Sequence, residues 1–156
     1  MADTLVIIPA FNEEKNIANV IDRLTNTLND VDYVIVNDGS IDSTSKICRE
    51  RGFNIIDLPV NLGLAGAFQT GMKYAHKHGY KYAVQFDGDG QHRPEYIPEM
   101  RKKCEECDIV IVSRFVTKKK PFTMRMLGSR LIALAIKIST GATIYDPTSG
   151  MRMYNE

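Results

Sequence analysis

The feature that most limits how this chain can fold is a series of short apolar runs, each ending in a polar cluster. Leu5-Val6-Ile7-Ile8-Pro9 is the first and is apolar throughout. A strand apolar at every position has to be covered on both faces, as happens inside a parallel sheet. Tyr33–Val36, Asn54–Leu58, Tyr82–Phe86 and Asp108–Ser113 read as further strands. Helical patterns lie between them. Ile17, Val20, Ile21, Leu24 and Leu28 predict a helix over about 14–29, with Asn12 as a capping candidate. Asp42 or Ser43 caps a second helix that runs through Arg51 and stops at Gly52. A third opens in the loop Asn61–Gly66, buries Leu64, Ala67, Phe68, Gly71, Met72 and Ala75, and ends in His76-Lys77-His78-Gly79. Pro94-Glu95 starts a fourth.

Strand-helix alternation over residues 4–113 predicts an α/β fold: an open, mostly parallel sheet with helices on both faces. Ligands of such sheets bind beyond the C-terminal ends of the strands. The polar clusters sit there: Pro9 to Glu13, Asp38 to Ser40, Asp87 to Gln91, and Arg114.

Asp87-Gly88-Asp89-Gly90-Gln91-His92 is the most informative of these clusters. In an extended segment, residues two apart face the same way, so Asp87 and Asp89 converge. Adjacent carboxylates repel unless a cation lies between them or one is protonated. Mg²⁺ commonly uses one or two carboxylates together with substrate phosphates. Gln91 adds an amide oxygen, and Gly88 and Gly90 let a ligand approach the backbone. Asp-Gly pairs also build ordinary turns, so that reading stays open for this loop alone. No G-x-G-x-x-G follows the first strand and no G-x-x-x-x-G-K-[ST] occurs. A metal-bridged nucleotide is then the natural ligand: the acids hold an ion, the ion holds a diphosphate, and Arg114 helps neutralise it.

Composition excludes several classes. A length of 156 residues at 44% hydrophobic suits one domain. A net charge of +1 gives no reason to expect nucleic-acid binding. No apolar run approaches the roughly 20 residues that span a bilayer. Met1-Ala2-Asp3-Thr4 leads straight into a strand, so no signal peptide and a cytoplasmic location are expected. Cys104 and Cys107 have C-x-x-C spacing without a second pair, so ordinary thiols are expected.

Beyond Arg114 the character changes. Lys118-Lys119-Lys120-Pro121 is a basic loop, and a helix is predicted from about Met124 to Ser139. Leu127, Leu131, Leu134, Ala135 and Ile138 share one face, while Arg125, Arg130 and Lys137 interrupt the apolar pattern. Two readings stand: a core helix with solvated charges, or a helix at a membrane surface or acceptor groove.

Four motifs occur in order: Val6-Ile7-Ile8-Pro9-Ala10-Phe11-Asn12-Glu13, Val36-Asn37-Asp38-Gly39-Ser40, Asn61-Leu62-Gly63 and Asp87 to His92. Together they resemble the family 2 glycosyltransferases, inverting enzymes of the GT-A (Rossmann-like) fold. Ser113-Arg114-Phe115 and Asp146-Pro-Thr-Ser-Gly-Met-Arg152 resemble the polyprenol-phosphate branch, which includes the dolichol-phosphate mannose synthases.

The resemblance implies that Pro9, Phe11, Glu13, Val36 and Asp38 form the nucleotide-base pocket. Asp87 and Gly88 would lie near ribose and metal, and Asp87, Asp89 and Gln91 would hold Mg²⁺ or Mn²⁺. Arg114, and Arg130 from the later helix, would face the diphosphate or sugar. Asp89 and Arg114 would thus serve catalysis. Asp146 is a candidate for contacting or activating the acceptor, although Asp146-Pro147 equally begins a turn. Phe11 stands where the family often has tyrosine, and Asn37 replaces a common aspartate.

The implied donor is a UDP- or GDP-linked hexose, since an Asp-to-N–H contact suits either base. The implied acceptor is a lipid phosphate at the inner membrane face, with peripheral membrane contact. Residues 1–156 would form one domain, with 1–115 as the donor half and 116–156 starting an acceptor half that family members continue further. A nucleotidyltransferase and a non-catalytic nucleotide-sugar-binding fragment are the alternatives.

Overall fold

The computed structural model describes residues 2–113, 124–141, 143 and 149–155, with backbone alone for 124–127, 129 and 130. In chain order the elements are β1 (Thr4–Ala10), α1 (Ile17–Thr27), β2 (Asp32–Asn37), α2 (Thr44–Glu50), β3 (Ile55–Asp57) and α3 (Gly63–Lys77). There follow β4 (Tyr82–Gln85), a 3₁₀ turn (Pro94–Tyr96), α4 (Ile97–Cys104), β5 (Ile109–Ile111), α5 (Met124–Thr140) and β6 (Arg152–Asn155).

All seven residues of β1 are buried, as its apolar run requires. It is flanked by parallel neighbours on both sides: Ile8 pairs with Ile35 of β2, and Val6 with Val84 of β4. Because side chains alternate along a strand, β1 feeds two cores. Val6, Ile8 and Ala10 pack in a cluster with Ile17, Val20, Ile21 and Leu24 of α1, Cys48 of α2, and Ile97, Met100 and Cys104 of α4. Leu5 and Ile7 join Val34, Val36 and Ala83 beneath Ala67 and Ala75 of α3. Helices therefore cover both faces. Gly71 sets how closely α3 lies on the sheet: a Cβ there would come within 2.2 Å of Ile7 Cγ2.

The sheet order is β3-β2-β1-β4-β6-β5. β6 runs antiparallel to both β4 and β5, so it is the one strand opposed to the other five. The sequence does not predict it. Only Met153 and Tyr154 are apolar in its four residues, too short a stretch to show a period. Its place comes from tertiary contacts. Met153 is fully buried in the α1/α4 core, and the Tyr154 ring lies 5.6 Å from that of Phe68 on the opposite face.

Several expected boundaries move. α1 begins at Ile17 rather than near 14, because residues 13–16 form a turn in which the Asn16 and Ile17 N–H groups both reach Glu13 O. Asn12 does not cap it; that residue is left-handed (φ 57°) and its Oδ1 accepts the Ile41 N–H at 3.0 Å. At α2, Asp42 rather than Ser43 satisfies the helix start, accepting the Thr44 N–H at 2.9 Å. β5 is shorter than the apolar run that predicts it, and Pro94 opens a 3₁₀ turn before α4.

Candidate functional site

Five side chain–to–backbone hydrogen bonds tie the loop after β1 to the loop after β2. The Asn12 N–H donates to Ser40 Oγ (2.9 Å), while the Ile41 N–H donates back to Asn12 Oδ1. The Glu13 N–H donates to Thr44 Oγ1 (2.9 Å) and the Glu14 N–H to Asp42 Oδ2 (3.1 Å). The Ser43 N–H donates to Glu14 Oε2 (3.1 Å). Burial tends to raise the Asp42 carboxyl, but its hydrogen bonds from Thr44 and from the Glu14 backbone outweigh this and hold it below the ordinary value. Such reciprocal bonding fixes Phe11 and Glu13 relative to Asp38 before any ligand arrives.

Asp38 is 3% exposed. Its own N–H donates to Ala10 O at 2.8 Å, and its Oδ1 accepts the Leu62 N–H at 2.7 Å. That bond recruits the Asn61-Leu62-Gly63 turn, the third sequence motif, as a wall of the site. Gly39 makes the approach feasible: it has φ +69°, and a Cβ there would lie 2.9 Å from Asn61 N.

The loop after β4 completes the edge. Gly88 lies against β1, where an added Cβ would meet Pro9 O at 3.3 Å. Asp89 Oδ1 accepts the Gln91 N–H at 2.9 Å. The His92 ring, edge-on to Phe86, folds back on Asp87: its Nδ1 accepts the Asp87 N–H at 2.9 Å, and its Nε2 lies 3.4 Å from Asp87 Oδ2. Asp87 Oδ1 is buried and has no hydrogen-bond partner among the described residues. A buried carboxylate oxygen left in this state is costly unless a ligand supplies a donor or a cation.

Pro9, Phe11, Glu13, Asp38, Asp87, Gly88 and Asp89 line one cleft of about 230 Å³, together with Ala10, Leu64 and Ala67. The structure thus brings seven of the sequence-predicted residues together. Gln91 is exposed and does not line the cleft, and Val36 is fully buried under α3 rather than lining it. Arg114, Asp146 and the Arg130 side chain lie outside the described residues. His92 is the neighbour that the motif contains without a role in the sequence reading; its contacts become visible only when the loop is seen to curl back.

The donor set suits a hard divalent ion in part. Two carboxylates converge on the cleft, and the orphaned Asp87 Oδ1 is an oxygen seeking charge. Among the described residues no group of three His, Cys, Asp or Glu side chains is arranged to hold a metal, so oxygens of a bound ligand would have to complete the shell.

Five co-directional strands, three of which (β1, β2 and β4) lead into the carboxylate-lined cleft, place this fold in the GT-A class of Rossmann-like α/β domains. It superimposes with a TM-score of 0.73 on glucosyl-3-phosphoglycerate synthase from Mycobacterium tuberculosis, solved with Mn²⁺, UDP-glucose and phosphoglyceric acid. That match covers 97% of this chain and 56% of the other at 21% identity. The chain belongs to glycosyl transferase family 2, whose family model matches residues 5–156. It is 30% identical to the undecaprenyl-phosphate mannosyltransferase of Micrococcus luteus, over 96% of this chain and 65% of that protein. It is 33% identical to the UDP-N-acetylglucosamine–dolichyl-phosphate N-acetylglucosaminyltransferase of Methanococcus voltae, over 100% of this chain and 71% of that one. It is 29% identical to the polyprenol monophosphomannose synthase of Mycolicibacterium smegmatis, over 97% of this chain and 61% of that one. The chain thus spans somewhat under two thirds of two of these three relatives.

Proposed function

We propose that this chain is the donor-binding part of a metal-dependent, inverting glycosyltransferase that moves a sugar from a nucleoside diphosphate to a polyprenyl phosphate. The observation that carries the reading is the cleft shared by Asp38, Asp87 and Asp89, with one carboxylate oxygen of Asp87 buried and without a hydrogen-bond partner among the described residues.

Within that cleft, Phe11 is 47% exposed and offers a face on which a base can stack. Asp38 keeps Oδ1 on the Leu62 N–H, which leaves Oδ2 to accept a base N–H; uracil and guanine both present one. Asp87, Asp89 and Gln91 would hold Mg²⁺ or Mn²⁺, which when bound offsets the charge that develops on the departing diphosphate. Arg114 and Arg130 would add positive charge on the same side. The acceptor oxygen attacks the anomeric carbon from the face opposite the leaving group, so the configuration inverts. A lipid phosphate is already ionised near neutral pH, so Asp146 would orient this acceptor rather than deprotonate it.

The lipid acceptor is supported by the names of the relatives and by α5, whose Leu131, Ile132, Leu134 and Ile138 are 49–77% exposed. An apolar helix face beside basic residues suits the cytoplasmic membrane surface. Among the described residues no helix is long and apolar enough to cross a membrane. Residues 1–115 form the donor half in this reading, and 116–156 begin the acceptor half.

The test is calorimetric titration of UDP and GDP, each with and without Mn²⁺, into the wild-type chain and Asp89→Ala. One nucleotide should bind only with Mn²⁺, and the substitution should weaken it about tenfold or more. No binding of either nucleotide by a chain that melts cooperatively would overturn the reading.

A further inference from the structure

We propose that His92 is a positioning residue for Asp87: it holds one carboxylate oxygen and the backbone of Asp87 so that the other oxygen, Oδ1, is presented to the ligand. The inference rests on the donor-site reading above and goes beyond it by assigning a residue that reading does not use.

The geometry is specific. His92 Nδ1 accepts the Asp87 N–H at 2.9 Å. A ring nitrogen that accepts a hydrogen bond carries no proton, so a neutral ring has its proton on Nε2. That nitrogen lies 3.4 Å from Asp87 Oδ2, a close electrostatic contact that is longer than a good hydrogen bond. One imidazole therefore reaches both the peptide N–H and the carboxylate of Asp87, a clasp that closes a loop with a sequence separation of five. A partner that orients a metal-side carboxylate in this way commonly matters almost as much as the ligand itself.

Two further contacts hold the ring. Phe86, 2% exposed, meets it edge-on with ring centroids 5.4 Å apart. Gly150, just before β6, covers its other side: a Cβ there would fall 2.4 Å from Asp87 Oδ2, 3.0 Å from His92 Cε1 and 3.1 Å from His92 Nε2. The neighbouring Ser149 is 3% exposed and anchors this crossing through a 2.5 Å hydrogen bond from its Oγ to Val112 O. The Ser-Gly-Met segment thus has to be bare at position 150 to close over the clasp. This explains why a glycine from the far end of the chain belongs with a loop sixty residues earlier.

The alternative role for His92 is simply to fill space under β6. The two are separated by isosteres. An asparagine amide oxygen can replace the Nδ1 acceptor, a glutamine amide N–H can replace the Nε2 donor, and phenylalanine fills the space with neither. His92→Asn, His92→Gln and His92→Phe are compared with wild type for thermal midpoint and for Mn²⁺-dependent UDP or GDP binding by calorimetry. In the ligand-free wild type, a long-range ¹H–¹⁵N spectrum reads the ring tautomer.

The expected results are an Nε2-protonated tautomer, binding weakened about tenfold in His92→Phe, and partial rescue in His92→Asn or His92→Gln at similar thermal midpoints. Binding by His92→Phe equal to wild type overturns the proposal. So do losses in all three variants that merely follow their thermal midpoints, and so does an Nδ1-protonated ring. If the tautomer is as expected but the wild type binds neither nucleotide, the donor-site reading fails, and the positioning of Asp87 for that ligand falls with it. The unaltered tautomer marks this outcome apart from a failure of the clasp.

Discussion

Replacing Gly71 with alanine is expected to destabilise this fold by about 3 kcal/mol, the upper part of the usual range for overpacking a core. In an exposed helix the same change stabilises by roughly 1 kcal/mol, because alanine is the better helix former. The sign is decided here by Ile7. A Cβ on Gly71 would approach Ile7 Cγ2 to 2.2 Å, inside any real contact distance, and Cγ1 to 3.0 Å, a tight contact. Ile7 cannot yield easily. It is β-branched, fully buried, and sits mid-strand in β1 with parallel neighbours on both sides. Either α3 lifts from the sheet, loosening the packing of Ala67 and Ala75, or β1 shifts. Urea unfolding should show a lower midpoint at unchanged slope. Ile7→Ala removes both clashing atoms and alone costs about 2–5 kcal/mol. Combined with Gly71→Ala it should cost clearly less than the sum. Additive effects, or a stabilised single variant, would show that α3 does not lie this close to β1.

The same substitution shows what sequence could and could not reveal. Gly71 falls on the predicted buried face of α3, and the apolar run of β1 predicts a strand covered on both faces; both are local patterns. That a methyl of Ile7 occupies the space above Gly71 is a tertiary fact with no local signature. The clefts divide similarly. Polar residues immediately after apolar runs mark Pro9 to Glu13, Asp38 and Asp87 to Gln91, because parallel strands put their C-terminal ends on one edge. Val36 shares a motif with Asp38 but lies inside β2 with its side chain in the core under α3, whereas Asp38 lies past the strand's end at Asn37, where the chain turns into the cleft. β6 escapes detection because four residues carry no period, and its antiparallel course depends on the partners it finds. His92 and Gly150 escape because their meaning is a contact between distant segments.

Asn37 gives the second large effect. The family resemblance sets an aspartate as common at this position, and the surroundings show why this chain needs an amide. Asn37 is 3% exposed; its Nδ2 donates to Asp57 Oδ1 at 2.6 Å, and its Oδ1 accepts the Ser40 N–H at 3.2 Å. Asp57 also pairs with Arg49. Burial tends to raise the Asp57 carboxyl, but hydrogen bonds from Asn37, Ser45 and Arg49, with the Arg49 charge, outweigh this and hold it below the ordinary value. A depressed carboxylate stabilises the fold above its unfolded value near 4, and that stability is lost as pH falls through the folded value.

Asn37→Asp reverses the slope. Two carboxylates within hydrogen-bond distance share a proton, so one titration rises above the unfolded value, and stability is then lost as pH rises through it. At pH 7 the expected loss is about 3 kcal/mol, the low end for an uncompensated buried charge, because Asp57 is a quarter exposed. The new carboxylate can still accept the Ser40 N–H, but its repulsion from Asp57 displaces the start of the loop that carries Asp38, so nucleotide binding should weaken in parallel. The exchange Asn37→Asp with Asp57→Asn restores one acid facing one amide. It should recover most of the stability at pH 7 and flatten the pH slope, with Arg49 left beside a neutral side chain at little cost because it is two-thirds exposed. Chemical unfolding at pH 4.5 and pH 7 of the wild type, the single variant and the exchange decides the matter. A single variant as stable at pH 7 as at pH 4.5, or an exchange no better than the single variant, would mean that the Asn37–Asp57 contact does not hold this edge of the site.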